Sequence, residues 1–185
     1  DTASVPNDFH ILPGMATWHE ATASGYRRGL AMIDDNRGAG AVVTTVDDML
    51  RWLANLRGPA RDVGSDALWR QMVEPARLPD GTRTGYALGL LCHDYRGVAV
   101  VHHGGSLNGV ASQMVSVPAH GLDIVILANG APVNPVLMGW QVVDALLTYT
   151  NDTTPPVKAY WALNGATPDP NLLDPQVAFG STWVD

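Results

Sequence analysis

Apolar side chains recur three and four residues apart between residues 46 and 56, at Val46, Met49, Leu50, Leu53 and Leu56. That spacing predicts an amphipathic helix. Thr45 stands where an N-cap belongs, Asp47 and Asp48 fill the first turn with Asp48 at the capping-box position, and Gly58-Pro59 stops the element. A shorter helix is predicted to start at Ser65, to bury Leu68, Trp69 and Met72, and to end before Pro75. The rhythm then changes. After the Pro79-Asp80-Gly81 turn, residues 86–92 and 98–102 read as strands joined by a turn over 94–97. Residues 111–117 and 122–128 read as a second hairpin turning at 118–121, and the near-continuous apolar run LDIVILA predicts a central strand. Asn134 caps a last helix with Pro135 at its first position, its apolar face drawn from Leu137, Met138, Val142, Ala145 and Leu146.

The two ends of the chain lack such periodicity. Residues 1–40 are punctuated by Pro13-Gly14, Ser24-Gly25 and Gly38-Ala39-Gly40, with Phe9, Ile11, Met15, Trp18 and Tyr26 as anchors. A stretch of that kind predicts a functional loop or a wrap over another element. Residues 151–185, with prolines at 155, 156, 168, 170 and 175, predict a linker or extended arm following a domain over 1–150.

Composition narrows the class. Of 185 residues, 46% are hydrophobic and 16% charged, a globular balance rather than a disordered one. The formal net charge of -7, without a basic cluster, argues against a nucleic-acid partner. Cys92 is the single cysteine, so no internal disulfide can form, and both a cytoplasmic and a periplasmic or secreted setting stay open. No run of apolar residues reaches the length of a membrane span, and the first residues lack the pattern of a signal peptide. The chain does not begin with methionine and is expected to be a processed product or a piece of a longer one.

The chemistry concentrates in VAVVHHGGSLNG, residues 98–109, where an apolar strand delivers two histidines, two glycines and a serine. Strand alternation sets His102 and His103 on opposite faces, His102 as a structural residue and His103 toward a site. Gly104-Gly105-Ser106-Leu107-Asn108 resembles a nucleophile elbow only superficially, because Asn108 occupies the fifth, glycine position. His10, His19, His93 and His120 lack metal-ligand spacing, so no metal site is expected. Met49, Trp52 and Trp69 are expected in the core, and Asn151-Asp152-Thr153 has the form of a glycosylation sequon.

The order of these segments resembles the second half of the serine β-lactamase, penicillin-binding protein and esterase superfamily. ILPGM at 11–15 with ASGY at 23–26 is similar to its mid-chain segment, and AGAVVTTVDDMLRWLANL at 39–56 to its "AGGL-ST-DLARF" helix. His103-Gly104-Gly105, followed by Gly109, two strands and a helix, is similar to its third motif, a Lys or His before a Gly. The resemblance covers residues 10–149 and implies an α+β fold, an antiparallel β-sheet flanked by helices, incomplete at its N-terminal side. It implies hydrolysis of an amide, lactam or ester through an acyl-serine, on a small-molecule or peptide substrate, with no metal or organic cofactor. His in place of Lys leans toward the esterase, D-aminopeptidase and carboxypeptidase-like branches.

By the same resemblance, Ser106 N–H supplies one oxyanion donor, and Gly104 and Gly105 keep the strand edge clear for substrate. His103 binds a substrate carboxylate or assists proton transfer. The family's Ser-x-x-Lys is absent, since the only lysine is Lys158 and Pro155 precedes it by three. Its Tyr-x-Asn motif is absent too, because Tyr149-Thr150-Asn151 lies after the third motif. The chain alone is therefore expected to be inactive and to self-associate through exposed sheet surface, or to join a companion polypeptide carrying the nucleophile. A non-catalytic binding module and a structural partner subunit are the alternatives.

Overall fold

The computed structural model describes residues 3–6, 11–29, 37–58, 62–130 and 133–147. The arm expected over 151–185, the sequon, Phe9, His10 and Pro59 lie outside the described residues. Within them lie two helices, α1 (Val46–Arg57) and α2 (Asp66–Met72), then four strands, β3 (Leu91–Tyr95), β4 (Val98–Leu107), β5 (Val110–Val117) and β6 (Leu122–Ala128), and a closing helix, α3 (Pro135–Leu146). A short hairpin, β1 (His19–Thr22) and β2 (Gly25–Arg28), precedes them. The four later strands form one antiparallel sheet in the order β3-β4-β5-β6, each joined to its sequence neighbour.

Both faces of this sheet are covered, which explains why its strands read as nearly continuous apolar runs. On one face α3 buries Leu137, Trp140 and Val143 against Tyr95, Val100, Val115, Val117 and Ile124. On the other, Leu53 and Leu56 of α1 and Trp69 of α2 pack with Leu90, and Val101, Met114 and Val125 lie against them. Tyr95 and Trp140 stack at 4.4 Å, and Trp52 meets Trp69 edge-on at 4.9 Å. Contacts of that kind contribute about 1 kcal/mol beyond the area they bury.

The helix ends follow the sequence. The Thr45 side chain accepts from Asp48 N, Ser65 from Leu68 N and Asn134 from Leu137 N. The Asp48 carboxylate also receives Arg51 and, from the start of the chain, Ala3 N. At the other end of α1, Arg57 forms an ion pair at 2.8 Å with Asp123 of β6, which also takes the Ser116 hydroxyl at 2.7 Å.

Several expectations need correction. The strand expected over 86–92 begins only at Leu91 and runs to Tyr95; Tyr86 touches it through an isolated bridge to Leu91. Gly85 and Gly89 hold φ of +74°, so the chain turns there instead of extending. LDIVILA is an edge strand among the described residues, not a central one; its apolar character comes from α1 and α3 on its two faces. The core face of α3 is set by Trp140 and Val143, while Leu146 is 63% exposed. Leu68 of α2 is largely exposed, leaving Trp69 as that helix's buried residue. Ile11 at 92% and Tyr26 at 69% exposure are not anchors, and residues 19–28 form a hairpin rather than an unstructured wrap.

Candidate active site

β4 is longer than the sequence suggests. It continues through His103, Gly104, Gly105 and Ser106 to Leu107, paired throughout with β5 from Val101↔Ser116 to Leu107↔Val110. β3 pairs only with residues 98–102. The other edge of β4 from His103 to Leu107 is therefore unpaired by any strand among the described residues. An open strand edge offers backbone donors and acceptors to an extended ligand.

At the root of that open edge stands His103. Its Nδ1 lies 2.6 Å from Gly104 O, and its Nε2 lies 3.0 Å from the Tyr86 hydroxyl. A carbonyl oxygen only accepts, so Nδ1 carries the hydrogen. In the neutral ring Nε2 then accepts from Tyr86 O–H. The two rings meet edge-on, with centroids 5.9 Å apart.

Tyr86 arrives there because its segment folds back on itself. Tyr86 N–H donates to the Thr84 hydroxyl at 3.1 Å, and Tyr86 O accepts from Ala76 N at 2.8 Å. Ala87 N donates to Leu90 O at 2.7 Å, closing the turn at Gly89, and Cys92 N donates to Gly85 O at 2.8 Å. The phenol is thereby held beside the sheet while remaining exposed. Reading Tyr86 as a strand residue concealed this role. The glycines at 85 and 89, each flanking a tight turn, were the available signal.

His102 occupies the opposite face, as alternation requires. It is buried, with its ring edge-on to Trp140 at 4.9 Å and to His93 at 5.0 Å, and its Nδ1 receives Gln113 Nε2 at 3.2 Å. Burial, reinforced by repulsion from His93 and His103, pushes its imidazole down to about 3. It is neutral at physiological pH and belongs to the core. Gln113 is equally buried, and its Oε1 has no hydrogen-bond partner.

The two glycines face the sheet's own packing. A Cβ on Gly104 would sit 2.9 Å from Gln113 Oε1 and 3.1 Å from Val136 Cγ2 of α3. A Cβ on Gly105 would meet Ser112 Oγ at 2.7 Å. Ser106 is exposed, and alternation directs its side chain away from the face of His103, leaving its backbone to the strand edge. The structure thus brings His103 together with Tyr86 and does not set the Ser106 hydroxyl beside them.

The far end of β4 is closed by the hairpin β1–β2. His19 N donates to Gly109 O at 3.1 Å, and the His19 ring donates through Nδ1 to Asn129 O at 3.0 Å. Asn129 Nδ2 returns a bond to Thr17 O at 3.1 Å. Gly109, at φ +85°, admits this contact, since a Cβ there would lie 2.7 Å from His19 N. Among the described residues no group of three or more His, Cys, Asp or Glu is placed to hold a metal ion. The Cys92 thiol is pushed up by burial and then by Glu74, which disfavours the reactive thiolate.

Comparison with known proteins accords with this arrangement. Over 97 residues, the chain is 33% identical to the unguisins hydrolase ungD' of Aspergillus campestris, a match covering 50% of this chain and 18% of that protein. It is 27% identical over 164 residues to the unguisins hydrolase ungD of Aspergillus violaceofuscus, covering 70% of this chain and 28% of that protein. Its fold matches the octameric penicillin-binding protein homologue from Pyrococcus abyssi with a TM-score of 0.58 at 17% identity, over 71% of this chain and 30% of that one. The chain thus spans less than a third of the length of each relative. The family model described as Beta-lactamase matches residues 5–147, and with the antiparallel sheet and its helices in place, the chain belongs to the beta-lactamase family.

Proposed function

We propose that this chain forms one wall of a serine hydrolase active site, in which an acyl group is transferred to a serine carried by polypeptide outside these 185 residues. The observation that carries this is the open β4 edge, starting at His103 and backed by Tyr86, in a chain of the beta-lactamase family. Along that edge Ser106 N–H is one oxyanion donor, Gly104 and Gly105 bring backbone close to the substrate, and His103 assists proton transfer. The substrate is an amide, lactam or ester. The two relatives named as unguisins hydrolases make unguisins a substrate to include in the test. The unpaired side of β6 is the surface through which the isolated chain associates with itself or receives a companion polypeptide.

The test combines the chain, alone and joined to any polypeptide encoded directly upstream of it, with an activated ester, a chromogenic lactam and an unguisin. Intact-mass spectrometry follows adducts and light scattering follows association. No adduct is expected on the chain alone, and a covalent acyl adduct is expected on a serine of the joined segment. His103→Ala should lower kcat/KM of the joined protein about 100-fold. Acylation of a serine within this chain, or full turnover by His103→Ala, would overturn the proposal. Saturable binding without any adduct would assign the chain to a non-catalytic module instead.

A further inference from the structure

We infer that Tyr86 is a positioning residue for His103, fixing the tautomer and the direction of its imidazole. The inference rests on the reading above only in taking His103 as a site residue. Its physical basis is independent of turnover. Free imidazole exchanges between two neutral tautomers and rotates about its side-chain bonds. Here each ring nitrogen has a partner of defined sense. The Gly104 carbonyl, 2.6 Å from Nδ1, can only accept, and the Tyr86 hydroxyl, 3.0 Å from Nε2, completes the pair by donating. The edge-on contact of the two rings holds the imidazole plane.

Two consequences follow for the site. The hydrogen of neutral His103 sits on the nitrogen turned toward its own backbone, so the ring presents its basic Nε2 on the side of Tyr86. A substrate carboxylate, which needs a donor, has to displace the Tyr86 hydroxyl and protonate the ring before His103 can hold it. A neutral acyl substrate carries no such requirement. Tyr86 thereby biases the site toward uncharged ester and amide groups. Because its phenol is on an exposed turn outside the sheet, it is free to make way when the ring takes a proton.

The experiment is nitrogen-15 NMR of the histidine side chains in the 185-residue chain, above the pH at which His103 titrates, for wild type and Tyr86→Phe. His102, shielded on the opposite face by Trp140, serves as the internal report of an intact fold. In wild type we expect His103 in a single neutral form with the hydrogen on Nδ1. In Tyr86→Phe, which keeps the ring and removes the hydroxyl, we expect the Nε2 signal to move and the second tautomer to appear, with His102 unchanged. A wild-type His103 carrying its hydrogen on Nε2 would overturn the inference, and that measurement needs no variant. So would a Tyr86→Phe chain whose His103 signals stay in place. Failure of the acylation test with these NMR results intact would remove the hydrolase assignment and leave the Tyr86–His103 relationship standing.

Discussion

Arg96 and Asp144 form an ion pair at 2.9 Å with both side chains buried, tying the β3–β4 turn to the last turns of α3. The Tyr95 hydroxyl donates to the same carboxylate at 3.2 Å. Arg96 holds φ at +53°, a left-handed conformation that costs a non-glycine residue roughly 1–2 kcal/mol. The chain retains an arginine there, and the buried partner is the reason. Asp144→Ala should destabilise by about 3 kcal/mol or more, because it leaves the guanidinium buried without its countercharge. Arg96→Gly should cost less, since glycine relieves the backbone. Urea midpoints of the two variants measure this, and an unchanged midpoint for Asp144→Ala would show that the pair is not stabilising.

His102 gives the fold a dependence on acid. Its imidazole lies at about 3 when folded against 6.5 ordinarily, so the unfolded chain binds the proton more tightly. The sign is fixed by that difference: the contribution is complete above the unfolded value and is lost as pH falls from there through the folded one. The full loss is on the order of 4 kcal/mol. Replacing His102 by Gln should flatten the fall in stability between about pH 6 and pH 4 by close to one proton. Equal slopes for the two proteins would mean that His102 is protonated in the folded state.

Gly104 and Gly105 should respond differently to alanine. At Gly104 the new methyl meets buried Gln113 and Val136, neither free to retreat, and a loss of about 1–3 kcal/mol is expected. At Gly105 it meets the Ser112 hydroxyl, which can turn to another rotamer, so the loss should stay below about 1 kcal/mol. Ser112→Ala should restore the Gly105→Ala melting temperature and leave that of Gly104→Ala where it is.

Thr45→Ala removes the side chain that accepts from Asp48 N at 3.2 Å. A loss of about 1 kcal/mol in thermal or chemical unfolding is the expected result.

The parts legible from sequence were those governed by local rules. Thr45, Ser65 and Asn134 cap helices because a short polar side chain before an apolar period has few other uses. The separation of His102 from His103 followed from strand alternation alone. What escaped was set by distant neighbours. The run 122–128 looked central because helices cover both its faces, and sequence does not distinguish helix cover from strand cover. Trp140 belongs to the core of α3 because Tyr95, on another element, stacks on it. Tyr86 could not be joined to His103 from sequence, since the fold-back between Gly85 and Gly89 decides where its hydroxyl goes.

The unequal pairing of β4 divides a single strand into two regimes of hydrogen exchange. From Val98 to His102 its amides lie between β3 and β5, and their exchange has to wait for the sheet to open. From His103 to Leu107 only β5 holds the strand, so the tip and its turn can breathe while the root stays closed. Protection should therefore drop along the strand at His103, in the amides not bonded to β5. A catalytic edge built in this way is elastic where it meets a ligand and anchored where it enters the core.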